Sequence, residues 1–247
     1  MEQHKVIEVK GLVKKFGNFT ANDNLTFDVF EGEIFGFLGA NGAGKTTAMR
    51  ILCGLSIPTS GTISVNGYNV YRQSEKIKKS IGYMSQKFSL YEDLTVAENI
   101  RFYAGIYGLR RSERLKKQEE LLERLKMPDI KDKLVGSLPL GWKQKLAFLV
   151  AIIHDPKIVF LDEPTGGVDP ITRRQFWNLI YEASARGITV FVTTHYMDEA
   201  EYCDRVSIMV DGRIEALDTP SGLMNTYQSE NMNDVFLQLA RKAKNIE

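Results

Sequence analysis

Nine residues, GANGAGKTT from Gly39 to Thr47, constrain this chain more than any others. Ahead of them EIFGFL runs apolar and reads as a strand. Behind them TAMRILCGL takes up a helical pattern. Glycines let a backbone adopt positive φ and aim successive N–H groups into one concavity, and a helix that follows adds its positive end. The spacing G-x-x-x-x-G-K-T at Gly39, Gly44, Lys45 and Thr46 gives each residue type a task. Lys45 is placed to bridge β- and γ-phosphates, and the Thr46 hydroxyl to ligate Mg2+. Asn41, Gly42 and Thr47 complete the cradle. The expected ligand is a nucleotide that carries β- and γ-phosphates with Mg2+, and the expected fold is α/β.

The rest of the pattern agrees with that class. VIEVK, LTFDVF, GTISVNG and SIGYMSQ read as strands, from β-branched and aromatic residues bounded by turns. From Leu94 to Ile153 the texture becomes helical, in TVAENIRFYAGIYG, RSERLKKQEELLERLK and GWKQKLAFLVAII. Strand signals return with KIVFLDEP and ITVFVTTH, both near-continuous apolar runs of the kind found in buried parallel sheets. Between them, Asp169 as N-cap and Pro170 at the first helical position start a helix that stops near Gly187. Asp211-Gly212 marks a hairpin, and MNDVFLQLARKAK an amphipathic helix. The organisation expected is one P-loop ATPase lobe, about residues 1–90 and 155–225, interrupted by a helical lobe at about 91–154. A C-terminal helix is expected at about 230–245.

Four further positions carry chemistry. Asp162 ends the strand IVFLD, where it can hold Mg2+ through water, and Glu163 follows it, placed to take a proton from an attacking water. His195 ends ITVFVTTH, at the carboxyl edge of an open α/β sheet where ligands bind. Gln86 ends a strand and begins a loop. Phe16, in KKFGN, is either a core aromatic or an adenine platform.

Together these stretches resemble the ATP-binding subunit of an ABC transporter, over essentially the whole chain. The resemblance implies that GANGAGKTT is its Walker A motif and IVFLDE its Walker B. It places Gln86 in the Q-loop, as a catalytic residue and a metal ligand beside Thr46 and Asp162. It makes Glu163 and His195 catalytic, Asp169 the D-loop aspartate and Phe16 the adenine-stacking aromatic. MNDVFLQL further resembles the exporter branch called ABC-2 type. The family's L-S-G-G-Q signature falls on LPLGW, with Gly141 on the second glycine, Leu140 in place of the first and Pro139 in place of the serine. In the family dimer each signature closes over ATP held by the other subunit. Gly141 is thus an expected nucleotide contact; the serine hydroxyl is missing, and Ser137, two residues early, is a less favoured alternative source of one.

Composition sets the partners that remain. Lys plus Arg number 32 and Asp plus Glu 31, so the basic excess of a nucleic-acid binder is absent. Cys53 and Cys203 are far apart, in no metal-like spacing, as in a reducing compartment. The N-terminus lacks the apolar core of a signal peptide, and LAFLVAII, the longest apolar run, is far shorter than the ~18 residues that span a bilayer. The reading is a cytoplasmic ATPase, peripheral on the inner face of the membrane, that powers a separate permease, with export as its direction. It would work as a homodimer or a heterodimer with a second ATP-binding subunit. The alternative is an ATP-gated clamp or regulatory scaffold that moves no solute. A groove near KFSLYEDLT is the expected docking site of a permease helix.

Overall fold

The computed structural model describes residues 4–86, 90–125 and 129–244. The chain opens with a long hairpin, β1 (Lys5–Phe16) and β2 (Phe19–Phe30), then β3 (Ile34–Gly39) and α1 (Lys45–Leu52). β4 (Ser60–Val65), the short β5 (Tyr68–Asn69), α2 (Ser74–Ser80) and β6 (Ile81–Met84) follow. Next come α3 (Val96–Ile106), α4 (Arg111–Leu125), a 3₁₀ turn (Val135–Ser137) and α5 (Leu140–Ala151). β7 (Ile158–Asp162), α6 (Pro170–Ser184) and β8 (Thr189–Thr194) return to the sheet. A 3₁₀ segment (Met197–Tyr202), β9 (Arg205–Val210), β10 (Arg213–Asp218), α7 (Pro220–Thr226) and α8 (Met232–Lys244) complete the chain.

The strands form two sheets. One is antiparallel, in the order β2-β1-β4-β5. The other has the order β10-β9-β3-β8-β7-β6, and only the β9–β10 pair in it is antiparallel. Alternation along the inner strands sorts the core onto its two faces. Phe35 and Phe37 of β3, Phe160 of β7 and Phe191 of β8 join Phe27 of β2 in an aromatic layer against the antiparallel sheet, with ring centroids 5.3–6.3 Å apart. Ile34, Leu38, Val159, Leu161, Val190 and Val192 face the opposite way, onto α5, α6 and α8. Phe176, Trp177, Ile180 and Ala183 of α6 are all buried there, as their spacing in the sequence requires.

β1 and β2 are each twelve residues long, well beyond VIEVK and LTFDVF. Their outer ends alternate too weakly in polarity to announce a strand. α2 and α7 are short helices that the sequence does not announce either. Each buries a single residue, Ile77 and Leu223, so neither carries a helical apolar period. In the helical segment, Thr95 and Glu98 form a reciprocal capping box that starts α3. Among the described residues no helix is long and apolar enough to cross a membrane.

Candidate functional site

The order of the parallel strands builds the site. β3, β8, β7 and β6 are successive neighbours that point the same way, so their carboxyl ends share one edge. β3 delivers the glycine loop, β8 delivers His195, β7 delivers Asp162 and Glu163, and β6 delivers Gln86 two residues beyond its end. Residues scattered over more than a hundred positions thus meet at one place.

The loop is shaped by close packing on β2. Gly42 and Gly44 have φ of 85° and 97°, and a Cβ at Gly44 would collide with the carbonyl oxygen of Ala21. Asn22, wholly buried, donates from Nδ2 to the Gly44 carbonyl at 3.1 Å. Lys45 opens α1 with its ammonium buried, held by the carbonyls of Gly39 (2.8 Å) and Ala40 (3.1 Å). Burial lowers its pKa, and the nearby Glu163 carboxylate works against that shift. A cleft of about 310 Å³ lies over the loop, lined by Phe19, Ala21, Asn41, Gly42, Gly44, Lys45, Thr46, Thr47, Gln86 and Glu163.

Opposite the loop, Glu163 sits at φ 47°, a backbone region that side chains rarely occupy. Its amide is tied to β8, donating to the Thr193 carbonyl and to Thr193 Oγ1, both at 3.1 Å. That turn brings its carboxylate inward. Gln86 Nε2 donates to Oε2 at 2.9 Å, His195 Nδ1 lies 3.0 Å from the same oxygen, and Lys45 Nζ is 3.6 Å from Oε1. Two expected catalytic residues, Gln86 and His195, and the loop lysine therefore converge on the carboxylate of the third.

Asp162 is 2% exposed. Burial raises its pKa, and hydrogen bonds from Thr193 Oγ1 (2.6 Å) and Thr46 Oγ1 (3.1 Å) oppose the rise. Thr46 and Asp162 thus present adjacent hard oxygens, and Gln86 supplies an amide oxygen nearby. No cluster of three His, Cys, Asp or Glu able to cage a metal occurs among the described residues. A donor set this small suits Mg2+, which keeps waters and substrate phosphate oxygens in its shell.

Phe16, Gly141 and Asp169 do not line this cleft. Phe16 lies at the tip of the β1–β2 hairpin, paired with Phe19 and 55% exposed, with Lys14 Nζ 4.8 Å from its ring centroid. The core-aromatic alternative is thereby removed. Gly141 and Asp169 border a separate hollow of about 260 Å³ with Pro139, Leu140, Trp142, Gly167 and Thr172. There Asp169 caps α6, accepting from the Ile171 and Thr172 amides (3.0 Å each) and from Thr172 Oγ1 (2.6 Å), and the Thr172 hydroxyl leads in lowering its pKa. Ser137 is not a substitute hydroxyl, because its Oγ donates to the Leu134 carbonyl at 2.7 Å and closes the 3₁₀ turn. Lys87, Phe88 and Ser89 of the expected docking groove lie outside the described residues. Beyond them Tyr91 and Phe102 form an exposed edge-to-face pair, centroids 4.8 Å apart.

The sequence reading missed Phe19, Asn22 and Thr193. The last two are polar residues at buried positions of their strands, but other polar residues surround them in sequence, so nothing there singles them out.

Residues 22–166 match the family described as ABC transporter. The chain is 48% identical over 239 residues to a probable multidrug ABC transporter ATP-binding protein, YbhF, of Escherichia coli, covering 95% of this chain and 41% of that protein. It is 39% identical over 242 residues to the human retinal-specific phospholipid-transporting ATPase ABCA4, covering 97% of this chain and 10% of that one. The chain therefore spans less than half the length of these curated relatives. Among solved structures, the ATP-binding subunit of an ABC transporter superposes with a TM-score of 0.84 at 28% identity, covering 95% of this chain and 99% of that chain. A dimeric ATP-binding cassette in a post-hydrolysis state with ADP and Pi, MJ0796, superposes with a TM-score of 0.77 at 26% identity, over 86% and 98%.

Proposed function

The chain belongs to the ABC transporter family as an ATP-binding, ATP-hydrolysing domain, and from that premise we propose how its residues hydrolyse ATP and what the hydrolysis drives. Glu163 is the general base. Its carboxylate takes the proton of a water as that water's oxygen attacks the γ-phosphorus, and the bond to the ADP oxygen breaks. The observation that carries this assignment is the meeting of Gln86, His195 and Lys45 on that one carboxylate. Lys45 transfers its cation from Glu163 to the β- and γ-phosphates when nucleotide enters, which frees the base. His195 and Gln86 hold the far side of the attack site. Thr46, Asp162 and Gln86 would hold Mg2+, which would supply charge neutralisation for the phosphates. Phe16 and Phe19, paired at the tip of the β1–β2 hairpin with Phe19 lining the cleft, offer the adenine its stacking surface.

A second cassette completes the site. The N-terminus of α5, with Gly141, and the loop before Asp169 face outward and close over nucleotide on a facing domain. That domain is a copy of this chain or a partner with an intact signature. The solute path belongs to an integral-membrane permease, with the cassette peripheral on its inner face. The exposed Tyr91–Phe102 pair supplies part of the docking surface. Export is the proposed direction, and the relatives' printed names, one a probable multidrug transporter protein and one a phospholipid-transporting ATPase, support drug-like or lipid-like cargo.

Glu163→Gln tests this reading. It keeps the shape and removes the base, so turnover should fall by about a hundredfold or more. ATP should then hold the variant as a dimer on size-exclusion chromatography. A Glu163→Gln protein with wild-type turnover would assign the base to another residue.

A further inference from the structure

We propose that Glu199 is a positioning residue that fixes the Glu163–His195 pair, by tying the loop after β7 to the end of β8 and to α6. The proposal rests on the reading of Glu163 as the base.

Glu199 lies in the 3₁₀ segment after β8 and is 0% exposed. A carboxylate taken out of water is costly unless its oxygens are satisfied. Here every partner comes from a different part of the site. Thr165 Oγ1, two residues beyond Glu163, donates to Oε1. Thr194 Oγ1, next to His195, donates to Oε2 at 2.6 Å. Arg173 Nε, in the first turns of α6 after Asp169, is 3.5 Å from Oε1. Arg173 is itself held, by Asp198 at 3.1 Å and by the Tyr196 ring, 4.3 Å from its centroid. Thr194 Oγ1 also accepts from the Tyr196 amide at 3.0 Å, so its orientation is fixed from both sides.

These contacts complete a pair of straps. At one end of the loop after β7, the Glu163 amide is bonded to Thr193 of β8. At the other end, Thr165 is bonded through Glu199 to Thr194 of the same strand. The Glu163 side chain leaves the loop between the two straps, and His195 follows the second directly. The 3.0 Å contact between Glu163 and His195 is therefore a distance between two segments that Glu199 clamps together. Apolar residues could fill this space as stably, since buried ion pairs often add little to stability. What a carboxylate adds is direction, because it orients two hydroxyl donors, Thr165 and Thr194, and draws the Arg173 guanidinium to the same side as an ion pair. Through Arg173 the same group also reaches α6, the helix that Asp169 caps.

The test compares Glu199→Gln, Thr165→Val and Thr194→Val with Thr165→Ser and Thr194→Ser, measuring kcat, ATP affinity and melting temperature. Valine keeps the shape of threonine without its hydroxyl, and leaves the Arg173–Glu199 pair in place. Serine keeps the hydroxyl and loses the methyl. A displaced catalytic pair should lower kcat about ten- to a hundredfold in Glu199→Gln and in the valine variants. Their ATP affinity should stay within about twofold, because the loop that grips the phosphates is untouched, and the serine variants should keep kcat within about twofold of wild type. Should Glu199→Gln not fold, the valine variants decide. Valine variants with wild-type kcat would overturn the proposal, as would serine variants that fall as far as valine. Glu163→Gln run alongside separates the two layers. Full turnover in it sinks the reading of the base. A dead Glu163→Gln beside valine variants of normal kcat sinks the role of Glu199 alone.

Discussion

Gly141→Ala puts the altered signature under direct test. A Cβ at Gly141 would fall well inside van der Waals contact with Thr172 Cγ2, and would stand 3.4 Å from Thr172 Cβ and 3.5 Å from its Oγ1. Thr172 cannot turn away freely, because its Oγ1 donates to Asp169 Oδ2 at 2.6 Å and helps hold the α6 cap. Overpacking of this kind costs about 1–3 kcal/mol. Rotating the side chain instead forfeits a hydrogen bond to a charged group, about 1.5–3 kcal/mol. Alanine in a helix returns about 1 kcal/mol relative to glycine. The net is a destabilisation of up to about 2 kcal/mol. In a domain of this size each kcal/mol moves the melting temperature by about 2–4 °C. The double variant Gly141→Ala with Thr172→Ser removes the offending methyl and keeps the hydroxyl on Asp169. It should recover most of the loss, giving a coupling energy of about 1 kcal/mol or more in a double-mutant cycle read by calorimetry. Additive single effects would show that the α5–α6 contact does not hold the signature in place.

Three further outcomes are expected. Lys45→Ala should lose tight Mg·ATP binding, because each charge-assisted bond to phosphate is worth about 1.5–3 kcal/mol; unchanged affinity in a nucleotide titration would remove Lys45 from the site. His154, stacked on Tyr107 with centroids 3.8 Å apart, is held by burial below its ordinary pKa of 6.5. The unfolded chain then takes up the proton first, so this contribution to stability is full above about pH 6.5 and is lost as the pH falls through the folded value. Melting temperature from about pH 8 to about pH 5.5 should fall less steeply in His154→Phe than in wild type, and equal slopes would contradict the assignment. Pro139→Ser with Leu140→Gly, in the Glu163→Gln background, should strengthen ATP-dependent dimerisation about tenfold or more, from a regained bond of about 1.5–3 kcal/mol per site; no gain in sedimentation equilibrium would mean that closure does not lack the hydroxyl.

The part of this molecule that was legible in the sequence is the part whose residue types are forced by local geometry. A loop that must present N–H groups to phosphate needs Gly42 and Gly44, and a strand with both faces buried reads as IVFLD or ITVFVTT. Asp169 announced its helix because a cap residue and Pro170 work within a few positions of each other. The straps were not legible. Thr165, Thr194 and Glu199 are ordinary residues in sequence, and they become a unit only when parallel pairing of β7 with β8 sets their segments side by side. Asn22 is similar, since its bond to Gly44 spans β2 and the loop. Ser137 shows the reverse error, a hydroxyl placed near a motif by sequence yet committed to a local turn.

The same distinction settles what the altered signature retains. Pro139 cannot offer a hydroxyl, but its φ of −56° is the value its ring presets, and its carbonyl accepts from the Trp142 and Lys143 amides at 3.0 and 3.1 Å. The helix therefore starts where the family pattern starts it. Helix geometry leaves its first N–H groups, those of Leu140 and Gly141, without intrahelical partners. Their positive end lies at the surface, where the proposed reading sets it against a phosphate on a facing domain. Leu140 does not stand alone in that opening either, for its Cδ2 lies 3.4 Å from where a Cβ of Gly167 would be, against the loop that leads to Asp169. The leucine borders the hollow between the signature and the D-loop of its own chain and touches the loop at Gly167, so on the proposed reading it links two surfaces that move together when a dimer closes. Backbone and helix dipole then carry the grip on the phosphate, while the side chains carry the coupling between segments. On this account restoring serine and glycine strengthens a closure that already occurs, and the gain should come with a looser link between α5 and the loop at Gly167.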